Sequence, residues 1–290
     1  MKTLIIDGNN TIHRTYWTAK NQVQRMKSDD PDLLRNFHIH FTLNAIFSYV
    51  CKYKPTRTIC VWDEKPDYMQ NDRKAQFGEY KGNRSSDSSP HENNETIKRF
   101  LSNLSVLSMF PRQLEADDIV AFLCHELEGK KVIVSVDKDF LQLVNKDVTL
   151  FNPIKKEEYD YTNFAEVTGL PDTKTWLDVK CLTGDKSDNV PGIAKFGKVK
   201  VQKWLKGEIT LNEEEQEIAN RNRSLFSLDL YKSYDDEKSY YETQLQKEQV
   251  SSWKEFLKDC NELQLNQILS KKDSWHSAFF LQNKLQSLFA

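Results

Sequence analysis

Three short apolar runs, each closed at once by an aspartate, constrain this 290-residue chain more than any other feature. Residues 3–6, 58–62 and 131–136 are rich in β-branched and apolar side chains, and Asp7, Asp63 and Asp137 follow them directly. Runs of this kind read as strands buried on both faces, as parallel sheets require. Helical patterns lie between them. Residues 33–53 set Phe37, Phe41, Ala45 and Tyr49 four apart, and residues 117–128 set Ile119, Val120, Leu123 and Leu127 on one face. Alternation of the two patterns predicts an α/β fold with a central, mostly parallel sheet flanked by helices. In such sheets sites form beyond the carboxyl ends of the strands, which is where the three aspartates stand.

Composition narrows the function classes. Hydrophobic residues at 38% and charged residues at 29% describe an ordinary globular protein, and the longest apolar runs are too short to cross a bilayer. The opening residues lack the pattern of a secretory leader, so a cytoplasmic protein is expected. The five cysteines (51, 60, 124, 181 and 260) include no CxxC pair and read as reduced core thiols. His38 and His40 are two apart, on different faces of a helix, and make no metal pair. A net charge of −2 looks wrong for a protein that binds nucleic acid, but acids and bases fall in separate clusters. A negative metal site and a positive track can coexist near neutrality.

The acids come in sequence as Asp7, Asp63, Glu115 with Asp117 and Asp118, Asp137 with Asp139, and Asp185 with Asp188. Glu115 and Asp118 share one face where a helix begins, a place that tolerates negative charge. A single aspartate after a strand is commonly a cap or a solvated turn residue. Five clusters in one α/β frame are not explained that way. Carboxylates brought together raise each other's pKa, and a hard, oxygen-seeking divalent cation resolves the conflict. Two such ions roughly 3.5–4 Å apart can bracket a phosphodiester.

These residues resemble the 5′-nuclease (flap endonuclease) superfamily, in particular bacteriophage 5′→3′ exonucleases and the T-even phage ribonuclease H type. The resemblance covers about the first 200 residues, in order. LIIDGNN (4–10) and VWD (61–63) resemble its first two strands with their aspartates. DRKAQFGEYKGNR (72–84) resembles the segment leading into its arch. EADD (115–118), SVDKDFLQL (135–143) and GDKSDNVPGI (184–193) resemble its later acidic motifs. The resemblance implies that Asp7, Asp63, Glu115, Asp117 and Asp118 serve one Mg2+ ion. Asp137, Asp139, Asp185 and Asp188 would serve a second, partly through water, with Mn2+ able to substitute; the division between the ions stays open. Lys81 and Arg84 would contact the scissile phosphate and stabilise its developing charge. Arg14 and Arg73 would steer phosphate, and Tyr80 would stack on the terminal base. Gly192, Lys195, Gly197, Lys198 and Lys200 would grip duplex DNA through a helix–hairpin–helix, an element that in the family often holds K+. Lys195 stands where the family usually has a second hairpin glycine, and Val199 where it often has lysine. Those departures bear on the K+ site more than on DNA binding.

The fold implied is a PIN-like 5′-nuclease core with a helical arch. The expected domains are an α/β catalytic unit over 1–160, including the arch segment 65–103, and a helical unit over 161–290 with the helix–hairpin–helix near 183–206. Residues 83–103 are polar and short for two arch helices, so they are expected to be disordered until a 5′ single strand orders them. Residues 252–290 read as two amphipathic helices. The last residues, LQSLFA (285–290), resemble peptides that dock on sliding clamps; packing as a final helical turn is the favoured alternative.

The implied activity is divalent-metal-dependent hydrolysis at 5′ ends of DNA, and of RNA in RNA–DNA hybrids, suited to RNA primer removal in replication. Implied partners are DNA bearing a 5′ flap, nick or end, an RNA–DNA hybrid, and a sliding clamp or single-stranded DNA-binding protein. The chain is expected to be a monomer with no membrane partner, in the host cytoplasm if phage-encoded. Two competing readings are a PIN-type single-strand ribonuclease and a catalytically silent DNA-binding replication protein. The first has fewer acids and lacks the GDKSDNVPGI turn; the second requires lost acids, and all nine are present.

Overall fold

The computed structural model describes residues 1–64, 72–83 and 87–281. In chain order the elements are β1 (Lys2–Asp7), α1 (Gly8–Arg25), α2 (Pro31–Tyr53), β2 (Arg57–Val61), α3 (Asp72–Gln76), α4 (Asn94–Asn103), β3 (Leu107–Met109), α5 (Ala116–Glu126), β4 (Lys130–Val134), β5 (Val148–Asn152) and β6 (Glu157–Tyr159). Helices dominate thereafter: α6 (Phe164–Thr168), α7 (Thr173–Thr183), α8 (Lys198–Leu205), α9 (Glu213–Phe226), α10 (Asp235–Gln246) and α11 (Trp253–Glu262). Between α7 and α8 lies a minimal antiparallel hairpin of β7 (Gly184–Asp185) and β8 (Val190–Pro191).

The large sheet runs β3-β2-β1-β4-β5-β6, parallel throughout except for β6. The chain builds outward from β1 to β2 and β3, then returns to add β4 and β5 on the other side. The strand order therefore reverses between β1 and β4, and a crevice opens at their carboxyl ends. Asp7 closes β1 there, with Asp63 and Asp137 beyond the ends of β2 and β4.

Alternate strand residues face opposite layers. Leu4, Ile6, Cys60, Val132 and Val134 pack under α2, α4 and α11, whereas Ile5, Ile59, Val61 and Ile133 pack under α5 and α10. Burial on both faces explains why these strands lack polar alternation. Helix α2 begins with Asp30 as its cap and Pro31 in its first turn, where a missing amide hydrogen costs nothing. Gly8 lets α1 start against β2. A Cβ there would sit 2.7 Å from both the Trp62 ring and the Val61 carbonyl oxygen.

Several expectations need correction. Residues 94–103 are not disordered: α4 buries Ile97, Phe100 and Leu101 completely. Their i, i+3, i+4 spacing is helical, and a polar flank obscured it. Short β3, β5 and β6 were not foreseen. Over the described residues 252–281 the C-terminal part is not two amphipathic helices. It is α11 followed by short turns at Asn266–Leu269 and Lys272–His276 that pack Ile268 and Trp275 into the core. Cys51 is exposed, while the other four cysteines are buried. The motif at 285–290 lies outside the described residues.

Candidate metal centre

The glycine-asparagine-asparagine that opens α1 organises the crevice. Asp7 caps the helix, accepting from the Asn10 amide at 2.9 Å, and its other oxygen accepts from the Ser135 hydroxyl at 2.7 Å. Asn9 accepts from the Asp63 amide at 2.9 Å, and Asn10 from the Val136 amide at 3.4 Å. One helical turn thus pins the loops that leave β2 and β4. Helix α5 enters from the other side with its N-terminus, carrying Glu115 as cap and Asp117 in the first turn. The positive ends of two helices therefore face the same space.

That space is a cavity of about 520 Å³ lined by Asp7, Asp63, Glu115, Asp117 and Asp137, together with Lys81. His13 and Trp17 of α1, and Asp87 and His91, form its outer wall. Next to it, Asp139, Asp185 and Asp188 bring carboxylate oxygens within 4.8 Å of one another. The two groups adjoin through Asp137. Its charge pushes up the pKa of Asp7 and Asp117 on one side and of Asp139 on the other.

Burial and mutual repulsion disfavour the charged form of several of these acids. Burial, and then neighbouring carboxylates, push Asp7 up to about 6. Burial and the Asp137 charge hold Asp117 well above the usual range. Asp139 is likewise raised to about 6 by burial and Asp137, although Lys180 opposes the shift. Asp185 behaves oppositely. Burial raises it, but the Ser187 hydroxyl and the Lys180 ammonium outweigh burial and hold it at about 2. Clustered oxygen donors whose charged forms disfavour each other fit a hard divalent cation.

The structure separates the sequence-derived candidates. Asp7, Asp63, Glu115, Asp117 and Asp137 meet in one cavity, and Asp139, Asp185 and Asp188 meet beside it. Asp118 joins neither. It is fully buried, accepts two bonds from Arg73 at 2.6 and 2.8 Å, and accepts from the Glu115 amide at 3.0 Å. Its place as an ion ligand is therefore corrected to that of an internal counter-charge.

Arg73 is corrected with it. At 1% exposure it cannot steer phosphate; it also reaches Glu115 and the carbonyls of Leu225 and Ser227. Tyr80 is no stacking platform either. Its ring packs with Cys181, Val190, Leu225 and Phe226, and its hydroxyl donates to Glu115 at 3.0 Å. Arg14 is half-buried, donates to the Tyr49 hydroxyl at 2.6 Å and does not line the cavity.

Lys81 does reach the cavity, donating to Glu115 at 2.7 Å from a backbone held at φ 55°. Arg84 lies outside the described residues. In the turn before α8, Lys195 takes a φ of 59°, a value natural to glycine. Gly192 packs against Thr183 and Gly184 so closely that a Cβ would meet backbone at 2.2 Å. Gly197 and Lys198 are exposed where α8 begins, and Lys200 pairs with Glu215 at 2.9 Å.

Lys180 was missed from sequence. It lies near the end of α7, 8% exposed, bound to Asp139 and 2.9 Å from Asp185, with the Phe226 ring centroid 4.6 Å away. A lysine in the buried last turn of a helix, five residues before an acidic turn, was the available signal.

Comparison with known proteins identifies the family of the chain and relatives of its fold. Residues 2–169 match the family described as 5′-3′ exonuclease, N-terminal resolvase-like domain. A 5′-3′ exonuclease of Buchnera aphidicola is 29% identical over 67% of this chain, and one from Halalkalibacterium halodurans is 30% identical over 67%. The chain spans 66% of the length of each. The solved structure of bacteriophage T5 D15 flap endonuclease, a pseudo-enzyme-product complex with DNA and metal ions, superposes with a TM-score of 0.63. It is 19% identical and covers 84% of this chain and 98% of its own.

Proposed function

The chain belongs to the 5′-3′ exonuclease family, and from that premise we propose that it hydrolyses phosphodiester bonds at or near 5′ ends of DNA, acting as a 5′→3′ exonuclease and flap endonuclease with Mg2+. The observation that carries the reading is the convergence of eight carboxylates from five separate chain segments on adjoining clusters at the strand-order switch point. The T5 enzyme's complex with DNA and metal ions supports the same chemistry here.

Asp7, Asp63, Glu115, Asp117 and Asp137 would hold one ion, and Asp139, Asp185 and Asp188 a second, with Mn2+ able to substitute. Such ions supply charge neutralisation and water activation against a phosphodiester. The chain's own residues set the stage. Lys81 offers an ammonium at the cavity wall to a phosphate oxygen whose charge grows in the reaction. Asn9 and Asn10 keep the Asp63 and Asp137 loops from drifting apart. Exposed Lys195 and Lys198, with the backbone of Gly192 and Gly197, would follow the duplex without reading sequence; a K+ ion at that turn is part of the same proposal. RNA in RNA–DNA hybrids is the proposed second substrate, which fits primer removal, and residues 285–290 are the segment to delete in testing a sliding-clamp contact.

The test uses end-labelled 5′-flap DNA, RNA-primed duplex and single-stranded RNA, with and without Mg2+. The wild type should release 5′-phosphorylated products from the first two only when Mg2+ is present, and Asp137→Asn with Asp139→Asn should abolish release. Cleavage of single-stranded RNA alone would point instead to a single-strand ribonuclease.

A further inference from the structure

Gln142 stands three residues after Asp139, in the short 3-10 turn Lys138–Leu143. Every hydrogen-bonding atom of its side-chain amide is engaged. Its nitrogen donates to the Asp139 carbonyl at 2.9 Å and to the Phe226 carbonyl at 3.1 Å, and its oxygen accepts from the Leu228 amide at 3.1 Å. Gln142 thus pairs with the chain leaving α9 much as a strand residue would.

The same stretch is gripped from the other cluster. Arg73 donates to the Leu225 carbonyl at 2.8 Å and the Ser227 carbonyl at 3.0 Å while holding Asp118 and Glu115. The Phe226 ring lies against Lys180, which binds Asp139 and Asp185. Residues 225–228 are therefore a keystone between both groups of acids.

The topology gives this joint a task. Asp139 comes from the sheet side of the molecule, whereas Asp185 and Asp188 follow α7, which packs on α9. Nothing covalent nearby fixes the spacing between the two contributions. We propose that Gln142 is a positioning residue for the metal centre, setting the separation of Asp139 from Asp185 and Asp188 by tying the Asp139 turn to the exit of α9. The proposal rests on the reading of these acids as a metal centre. Groups that orient ligands from behind commonly change metal affinity 10–100-fold when removed.

A matched control exists in the same chain. Gln244, 2% exposed, pairs with the Phe110 backbone in both directions at 2.9 Å, far from the second cluster in sequence. Its loss removes the same kind of bond without touching Asp139. The experiment measures Mn2+ binding to the full chain without DNA, by isothermal calorimetry, together with thermal melting, for the wild type, Gln142→Met and Gln244→Met.

Gln142→Met should weaken one class of Mn2+ site at least tenfold and leave the other unchanged. Gln244→Met should lower the melting temperature comparably and bind Mn2+ as the wild type does. If Gln142→Met does not fold, Gln142→Asn, too short to span the gap, takes its place. Equal Mn2+ binding by wild type and either Gln142 variant overturns the assignment, as does an equal loss in Gln244→Met. A wild-type chain that binds no Mn2+ overturns the proposed function itself, and this inference with it.

Discussion

Replacing Arg73 by methionine separates two roles that a sequence cannot distinguish. The guanidinium is 1% exposed, makes paired bonds to Asp118 and donates to two backbone carbonyls. Removing one partner of a buried ion pair leaves the other charge stranded and costs about 3–5 kcal/mol. For 290 residues the entropy of unfolding at the midpoint is about 0.6 kcal/mol/K, so the melting temperature should fall by about 5–8 °C. Arg73→Lys should recover little of this, because an ammonium cannot reproduce the paired geometry. DNA binding tells the other half. Each phosphate contact contributes about 0.7–0.9 to the slope of log affinity against log salt. That slope, measured by fluorescence anisotropy on flap DNA at 25 °C, should be unchanged in Arg73→Met. An unaltered melting temperature together with a slope shallower by about one contact would refute the buried-pair reasoning and restore Arg73 to the DNA surface.

Lys180→Met should destabilise the metal-free chain by about 3–5 kcal/mol, since Asp139 and Asp185 lose their shared buried counter-charge; added Mg2+ should then raise the melting temperature more in the variant than in the wild type, read by calorimetry. Asp7 and Asp139 titrate near 6 in the folded chain, above the carboxylate value of 3.8, so the native state binds more protons than the unfolded one between those limits. Their contribution to metal-free stability should therefore fall as pH rises from about 4 to 6, and the Mg2+-induced rise in melting temperature should shrink between pH 7.5 and 5, where protons compete with the ion. Gly8→Ala should cost about 1–3 kcal/mol by forcing α1 away from Trp62 and Val61, measured by urea unfolding.

Much of this molecule was legible because its central strands announce themselves twice, by apolar runs and by the aspartates that end them. The order of β1, β2 and β4 then carried Asp7, Asp63 and Asp137 to one crevice without further information. Helix α4 was hidden because its buried stripe of Ile97, Phe100 and Leu101 is embedded among polar residues. Strand β3 was hidden because three residues are too few for a period to emerge. The larger failure concerns cations. Arg73, Lys180 and Lys81 carry the same charge in a sequence, yet one neutralises Asp118, one neutralises Asp139 and Asp185, and one reaches the cavity. Whether a base faces a phosphate or a carboxylate is decided largely by contacts between residues tens of positions apart, and of these three cations only Lys180, five residues before Asp185, carries a local signal of its partner.

The joint at residues 225–228 is held chiefly through main-chain atoms, and this has a consequence for how the protein can vary. Carbonyls and amides are common to nearly all amino acids, so the grips of Arg73 and Gln142 are indifferent to which side chains stand there. Ser227, only half-buried, could be exchanged for many others with the coupling between the two halves intact, whereas Leu225 and Leu228 are constrained by their own burial in the core. Proline at 228 is the exception, because it alone would delete the amide that Gln142 accepts from.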